Sequence, residues 1–596
     1  MTRLAQVIFA LLVLATGAAF FLAQKLKTAD PVLLSFRLGA EAISPNGDGR
    51  FERQRITFRL KRSELVDVAV VDERGDSVRE LGSGIQLPAY RTIAPLIWNG
   101  RDENGKVVAD GRYRIRVTLR REGRSIVVPK SFLVDDTPPK VTVVSIGPDP
   151  GSGPELLPRA DGQPAEVLLN APARGGRLLI FRTAPLPTQQ VAEVPIAEGS
   201  NRASWNGRAA DGRPVAPGTY LVVAQRRDSA GVLGSSVPLD AKGIPITVYG
   251  QRLPGRGGIT VRPIAAQPPL LPIKAGSLAS VNVAANGQRF SWTLSQLGKS
   301  SSLRGRSSAS VVRVKPRGKS SQLMLFTAKK GSLRSSVPLA VDDAASHPVL
   351  VVLPLITWQG RNPVDDDGDG EPNLLTSGGP ATLRRVLGTP LPARFAVQEQ
   401  PIMKWLARNR YRYDLTTDYG LASGRGPTLA GHSGVLLVGD TVWLPPAAAR
   451  KLRSFVTAGG TLVEAGTDSL LRSVTLTKRA NLVAPLPPAT ADIFGSKLDP
   501  PAVGTFDVTA GEDQIELFKG TSGLFNNYTA IEATKMVPSG KPLASAVTGD
   551  GAVTIVAFRV GKGTVIRYGL PQLPSRLATD PDVQGLMTRS WQLLSR

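Results

Sequence analysis

The chain opens with an almost wholly apolar run, from Leu4 to Ala23, in which Gln6 is the only strongly polar residue. About twenty helical residues at 1.5 Å each span roughly 30 Å, the thickness of a hydrocarbon core. A cleaved signal peptide, the alternative, usually has an apolar region of only about 7–15 residues. The pattern favours a transmembrane helix or signal anchor within residues 1–28, a single-pass cell-membrane location and an extracytoplasmic body.

A second pattern occurs twice along the chain. Trp98 and Trp205 each begin a Trp-Asn-Gly-Arg stretch, and a tyrosine follows 15 residues later in both copies, at Tyr113 and Tyr220. The residues that follow Tyr113 alternate between polar and apolar, as a strand with one buried face does. A period near 100 residues suits one small β-sandwich per copy, and we predict that these aromatic residues anchor the two cores.

Beyond about Ser346 apolar runs alternate with helical patterns. Pro348–Ile356 and Gly434–Gly439 are continuous apolar segments, typical of parallel strands covered on both faces. Helical patterns lie near Ile402–Leu406 and from Leu444 to Thr457. The alternation predicts a doubly wound α/β domain, and the hairpin-like tail at Val553–Phe558 and Thr564–Tyr568 predicts antiparallel pairing at one edge of its sheet.

The composition excludes several kinds of functional site that depend on cysteine or histidine. The 596 residues include no cysteine, which excludes disulfides, thiolate metal sites and cysteine nucleophiles. The two histidines, His347 and His432, leave little room for a histidine-rich metal site or a conventional catalytic triad.

The basic charge is concentrated in one segment. The chain has 73 Lys and Arg against 48 Asp and Glu, and sixteen of the basic residues lie between Ala241 and Val341, where no acidic residue occurs. Strand-like stretches in this segment predict a β-rich basic module. Its charge suits either a solvated face or a contact with an anionic envelope polymer or lipid headgroups, and an extracytoplasmic address argues against nucleic acid.

Candidate site residues follow the predicted parallel strands. Ligands of doubly wound sheets bind beyond the carboxyl ends of the strands. That placement selects five residues as ligand contacts: Thr357, Trp358, Gln359, Arg361 and Trp443. For acid–base chemistry it selects Asp440, which ends an apolar strand, with Asp418 and His432 as further candidates.

An acidic loop lies after the first of these strands. Asp365, Asp367 and Asp369 alternate with other residues, and Gly370 occupies the sixth position, as at the start of a calcium loop. The twelfth position is Thr376 instead of glutamate. Calcium is the one cofactor that the sequence suggests, and a solvated acidic turn is the alternative.

The N-terminal half resembles a known module. Trp-Asn-Gly-Arg followed by Gly-x-Tyr, and the stretch from Ser44 to Gly49, resemble the FlgD-type immunoglobulin-like module of bacterial surface proteins. The stretch from Asp135 to Pro139 resembles a junction between tandem modules of this kind. The resemblance implies two immunoglobulin-like domains, at 29–139 and 140–250, that serve for spacing, display or adhesion.

The C-terminal region resembles a second family. Thr357–Asn362 and Val438–Trp443 resemble two motifs of the N,N-dimethylformamidase large-subunit (beta-subunit-like) C-terminal domain. That resemblance implies a class I glutamine-amidotransferase-like fold, in a family whose amidases bind iron through tyrosine and glutamate. The matching positions here are Arg361, Thr441 and Val442, which are not iron ligands of that type. We therefore expect the fold without the inherited chemistry.

The predicted organisation has five parts: an anchor at 1–28, immunoglobulin-like domains at 29–139 and 140–250, a basic β-rich module at 251–345 and an α/β domain at 346–596. Three functions fit it. The first is an anchored surface protein whose stalk presents a non-catalytic α/β domain for binding or scaffolding. The second is an amide or ester hydrolase with a site of its own, and the third is an adhesin or wall-polymer-binding protein that acts through the basic module.

Overall fold

The computed structural model describes residues 2–27, 32–147, 164–172, 175–246, 257–262, 264–285, 287–299, 302–343 and 345–596. Within the N-terminal helix α1, Thr2–Lys27, side chains are described for residues 6–20. About 41% of the chain is strand and 13% is helix. The protein is therefore mainly a β structure.

The predicted membrane anchor is wrong. Among the residues described, no helix combines the length and the apolar character needed to cross a membrane. The transmembrane helix, the signal anchor, the membrane partner and the single-pass cell-membrane location all depended on that segment and are overturned with it.

The first module, residues 33–134, consists of two sheets. One has the strand order β1-β3-β6 and the other β2-β9-β7-β4-β5, with β8 also paired to β7. Side chains alternate between buried and more exposed along β3, β4 and β7, and the buried apolar ones form one core between the two sheets. Strands β1 to β9 are Leu33–Leu38, Ala42–Ile43, Gln54–Leu60, Glu64–Val71, Ser77–Leu87, Leu96–Trp98, Gly111–Leu119, Arg124–Val127 and Phe132–Val134.

The second module contains β10 to β17. Its sheets have the orders β10-β11-β14 and β13-β12-β15-β16, and β17 also pairs with β15. The module therefore extends past residue 250 to include β17, which lies inside the segment predicted to be the basic module. The strands are Val143–Ile146, Ala165–Leu169, Gly176–Ala184, Gln189–Ile196, Arg202–Trp205, Gly218–Arg227, Leu233–Ser235 and Gly258–Val261.

The repeated tryptophan and tyrosine occupy equivalent places in both modules. Trp98 and Trp205 are 1% exposed, and each ring centroid lies 5.5 Å from that of its tyrosine, Tyr113 or Tyr220. Each indole N–H donates at 2.8 Å to the carbonyl oxygen three residues later, and each tyrosine hydroxyl donates to the carbonyl oxygen four residues earlier. The prediction that these residues anchor the two cores is confirmed.

The third module, β18 to β25, carries the basic segment. Its sheets have the orders β18-β20-β23 and β19-β25-β24-β21-β22. Most of its described Lys and Arg side chains are exposed, and Lys329 lies directly opposite Arg334 on the neighbouring strand. The strands are Ala265–Ala266, Ile273–Lys274, Ala279–Ala284, Phe290–Gln296, Ser302–Ser307, Val311–Val314, Gln322–Lys330 and Leu333–Asp342.

The C-terminal domain follows from residue 345. Its helices α2 to α7 are Leu355–Gly360, Glu399–Arg408, Asp418–Ser423, Pro446–Ala458, Leu573–Arg576 and Pro581–Leu594, and Leu375–Ser377 is a single 3-10 turn. Its strands β26 to β41 are Val349–Leu353, Ala381–Thr382, Asp414–Thr417, Gly434–Leu437, Trp443–Leu444, Thr461–Glu464, Arg472–Ser473, Thr475–Leu476, Asn481–Val483, Lys497–Leu498, Ala502–Asp513, Leu524–Ile531, Thr534–Met536, Ala544–Thr548, Val553–Val560 and Gly563–Tyr568.

The predicted doubly wound α/β domain is also wrong. Nine strands form the main sheet in the order β28-β26-β29-β31-β41-β40-β39-β36-β37. Neighbours from β28 to β41 are parallel, whereas those from β41 to β37 are antiparallel. The connections between β26, β28, β29 and β31 do include helices α2 to α5, but residues 465–562, between β31 and β41, consist of strands and loops without a helix. The predicted hairpin is confirmed as antiparallel β40–β41, although it lies inside the sheet and not at its edge.

The third module and the C-terminal domain share a core. Leu297, Leu323 and Ala340 of the module belong to the same buried apolar cluster as the residues around β26. The amide of Leu415, in β28, donates at 3.0 Å to Asp342 Oδ1, the last residue of β25. The shared cluster and this hydrogen bond mean that the two parts bury apolar surface together.

The second module also contacts the C-terminal domain. The Gly258 amide donates at 2.8 Å to the carbonyl oxygen of Gly368, and Thr183 Oγ1 donates at 2.5 Å to that of Gly370. A Cβ at Gly258 would lie 2.1 Å from Asp365 Oδ2, so the close approach of the two segments requires glycine there. The acidic loop is thus held at an interdomain junction.

Candidate functional site

The carboxyl edge of the sheet, where the parallel strands end, brings α2 next to the segment after β29. Four of the five predicted ligand contacts are almost fully buried here: Thr357, Trp358, Gln359 and Trp443. Thr357 Oγ1 accepts the Val442 amide at 2.9 Å, and a Cβ at Gly360 would lie 3.0 Å from the Trp443 ring. These contacts place the four side chains in the packing between the two segments, away from the surface.

A second group at this edge consists of arginines and aspartates around the buried Asp440. Arg361 Nη1 and Arg394 Nη1 lie 2.9 and 2.8 Å from Asp440 Oδ2, and the Thr467 amide donates at 3.1 Å to Asp440 Oδ1. Arg361 Nη2 is 3.7 Å from Asp468. Both oxygens of Asp440 therefore have partners within the protein, two guanidinium groups on one and a backbone amide on the other.

The other two acid–base candidates lie elsewhere. Asp418 is buried beneath α2, where its carboxylate accepts the Ile356 amide at 3.0 Å and supports the start of the helix. Burial raises the pKa of Asp418 to about 8. His432 lies at the opposite, amino edge of the sheet, with Nε2 2.9 Å from Asp414 Oδ2. The structure therefore does not bring Asp440, Asp418 and His432 together.

Two further residues at the carboxyl edge, Glu399 and Arg394, were not indicated by any pattern in the sequence. Glu399, in α3, accepts the indole N–H of Trp358 at 3.1 Å, and burial raises its pKa to about 8. Arg394 has a φ of 63°, and Asp468 has a φ of 51°, a conformation that non-glycine residues seldom adopt. Strained residues are common at functional sites, so this edge is the candidate site of the domain. Neither Arg394 nor Glu399 lies in a motif, and only the tertiary fold places them here.

The acidic loop forms a compact group. One carboxylate oxygen from each of Asp365, Asp367 and Asp369 lies within 4.8 Å of the others. Asp365 Oδ1 accepts the Gly368 amide at 2.6 Å, and Oδ2 accepts the Gly370 amide at 2.9 Å. Burial, with the charge of Asp369 as a further cause, raises the pKa of Asp365 to about 7. Oxygen ligands in this arrangement fit a hard cation such as calcium.

Comparisons with known proteins bear on the C-terminal region. The sequence profile of the family described as N,N-dimethylformamidase beta subunit-like, C-terminal, matches residues 307–485, under a third of the chain. The resemblance stated from the two motifs is confirmed over this range. The match begins in the third module, which agrees with the core that this module shares with the domain. A comparison with curated protein sequences gives no match.

Similarities to solved structures are weak. A beta-galactosidase from Bacillus circulans sp. alkalophilus is 12% identical, with a TM-score of 0.26, over 42% of this chain and 31% of that enzyme. An exo-beta-1,4-mannosidase from an Opitutaceae bacterium, strain TAV5, is 14% identical, with a TM-score of 0.26, over 42% and 36%. FlgD from P. aeruginosa is 16% identical, with a TM-score of 0.13, over 20% and 82%. The chain thus spans about a third of the two enzymes, and scores this low support no argument about fold or function.

Proposed function

We propose that the chain is a non-catalytic scaffold, in which FlgD-type immunoglobulin-like modules and a basic module hold a dimethylformamidase-like domain that binds without hydrolysing. The observation that carries the proposal is the state of Asp440. Two arginines and a backbone amide hold this carboxylate, and the histidines of the chain pair with Asp343 and Asp414 at the opposite edge of the sheet instead of with Asp440.

The residues at the resembling motif positions support the same proposal. Arg361 carries a cation, and Thr441 and Val442 are buried with their amides donating to Ser469 Oγ and Thr357 Oγ1, both at 2.9 Å. None of the three supplies an imidazole, a carboxylate or a phenolate. These positions therefore cannot bind iron in the way that the resembling amidases do, through tyrosine and glutamate side chains.

We expect the purified chain to bind no iron at these positions and to hydrolyse no formamide, because Arg361, Thr441 and Val442 offer no iron ligands. The measurement is iron content after anaerobic loading with Fe²⁺, together with turnover of N,N-dimethylformamide. A thermal melt of the same sample shows that the protein is folded. The Arg361→Gln variant, which removes one cation from Asp440, should also stay inactive. Stoichiometric iron with turnover that a chelator abolishes would overturn the proposal.

A second candidate function concerns the acidic loop, and the observation in its favour is the cluster of three carboxylates. Asp365, Asp367 and Asp369 place their oxygens together at the junction with the second module. The nearby Arg385 pairs with Asp366 at 2.8 Å and is not the counter-ion of that cluster. A calcium ion bound there would neutralise the carboxylates and stabilise the junction.

Calcium should therefore raise the melting temperature of the protein. At 100 times its dissociation constant a ligand adds about 2.7 kcal/mol to the free energy of unfolding. The Asp367→Ala variant should lose this increment, whereas Glu512→Ala, an exposed acidic residue on β36, should keep it. The measurement compares melts of the three proteins with calcium and with chelator. Equal melts of the unsubstituted protein in both conditions would show that the loop binds no calcium.

A further inference from the structure

Both histidines of the chain lie at the amino edge of the C-terminal sheet, around one aspartate. Asp414 is the first residue of β28, His347 precedes β26, and His432 precedes β29. Because β26 lies between β28 and β29, the starts of these parallel strands meet at the same edge. Asp343, directly after the last strand of the third module, completes the group.

The geometry of this group brings three ligand atoms together. His347 Nε2 lies 3.1 Å from Asp343 Oδ2 and 3.9 Å from Asp414 Oδ1. One atom from each of the three residues lies within 4.8 Å of the others. Zinc bonds of about 2.0–2.2 Å separate neighbouring ligands of a tetrahedral site by roughly 3.4 Å, and the two distances bracket that value.

One carboxylate oxygen of the group, Asp414 Oδ1, lacks a hydrogen-bond partner. Asp414 is 6% exposed, and its Oδ1 has no hydrogen bond among the residues that the structure describes. Its other oxygen lies 2.9 Å from His432 Nε2. The Nε2 of a neutral His347 donates one hydrogen bond, and Asp343 is its nearer acceptor, so hydrogen bonding alone leaves Asp414 Oδ1 unsatisfied.

We propose that Asp343, His347 and Asp414 bind one divalent transition-metal ion of the zinc type, which joins the third module to the C-terminal domain. The two carboxylates balance the charge of the ion, and the imidazole nitrogen favours zinc-like metals over calcium. His432 donates from Nε2 to the second oxygen of Asp414 and is a positioning residue, because partners of this kind orient a metal-binding side chain.

The position of the group gives the ion a structural role. Asp343 belongs to the end of the third module, and Asp414 begins a strand of the C-terminal sheet. The neighbouring Asp342 already accepts the Leu415 amide across the same junction. A bound ion would add a second connection there. The side chains of His347 and Asp343 are 11% and 13% exposed, so the ion can enter from solvent.

The test uses the full chain without a histidine tag, stripped of metal and titrated with Zn²⁺ by calorimetry and with Co²⁺ by visible absorption. We expect one ion per chain, visible Co²⁺ bands and a higher melting temperature with zinc. His347→Gln should abolish binding, and His432→Gln should weaken it about 10–100-fold, as loss of a positioning partner does. Asp367→Ala, in the separate acidic loop, should bind zinc as the unsubstituted protein does.

A second measurement does not depend on the stability of variants. Only two imidazoles exist in the chain, so selective labelling of histidine gives two sets of nitrogen resonances. Zinc should shift the Nε2 resonance of His347 strongly, and His432→Gln assigns the pair by removing one set. Circular dichroism of each metal-free variant establishes that it is folded. Absence of zinc binding, unchanged binding in a folded His347→Gln variant, or zinc that leaves both imidazoles unperturbed would overturn the proposal.

Discussion

Replacing Arg567 by methionine should lower the free energy of unfolding by about 3–5 kcal/mol, the usual cost of removing one member of a buried ion pair. Arg567, in β41, is fully buried, and its Nε and Nη2 lie 2.9 and 2.8 Å from Glu464 Oε2. Nη2 also donates to Asp492. Methionine would leave two carboxylates in the interior without a cation. Denaturant unfolding of the two proteins measures the difference.

Two further proteins control this result. Arg559→Met changes an exposed arginine on the neighbouring strand β40 and should alter stability by no more than about 0.5 kcal/mol. Adding Glu464→Gln and Asp492→Asn to Arg567→Met should recover part of the loss, because the unpaired charges are then removed. A loss as small as that of Arg559→Met would show that the buried cluster contributes little.

A chain that begins at Ser346 should fail to fold stably, whereas one that begins at residue 264 and keeps most of the third module should fold. The shorter chain lacks Leu297, Leu323 and Ala340 from the shared core, and the Asp342 carboxylate that accepts the Leu415 amide. Burial of one large apolar side chain contributes about 1.5–3 kcal/mol, so the two leucines alone account for about 3–6 kcal/mol, comparable with the lower end of the roughly 5–15 kcal/mol of a typical domain.

Solubility, near-ultraviolet circular dichroism and denaturant unfolding compare the two chains. The longer chain should unfold in one transition that includes both the third module and the C-terminal domain. The shorter chain should aggregate or lose its fixed tertiary signal. Equal unfolding midpoints would mean that the domain boundary at 345 separates independent folding units, despite the common core.

Local patterns predicted the repeated modules more reliably than the C-terminal domain. The spacing of Trp98, at the end of β6, and Tyr113, in β7, is set by the short connection between two consecutive strands, so it appears directly in the sequence. The apolar run at Val349–Leu353 is also local, and it does form a buried parallel strand. The structure of the segments that connect such strands depends on tertiary contacts, which a local pattern does not contain. The helical patterns near Ile402–Leu406 and from Leu444 to Thr457 do form helices, α3 and α5, whereas alternation did not predict the antiparallel strands that follow β31 in the chain.

The candidate sites show the same division. Arg361 and Asp440 were selected because each follows an apolar strand, and they form an ion pair. Arg394 reaches Asp440 from a loop whose course no local pattern specifies.

The two histidines, His347 and His432, were too few to suggest a metal site, yet the strand order brings both to Asp414. Each histidine precedes a predicted parallel strand. If the two strands had been predicted to be close neighbours in the sheet, their starting ends, and with them the two histidines, would have been placed at the same edge.

The contact between the second module and the acidic loop determines how the molecule would respond to force. Gly258 and Thr183 bond to Gly368 and Gly370 across a stretch of chain that contains the whole third module. Tension applied to the two ends would load these hydrogen bonds before it loads the linkers on either side of that module. The first rupture would therefore lengthen the molecule without unfolding a sandwich, and the modules would begin to bear force in series only after it.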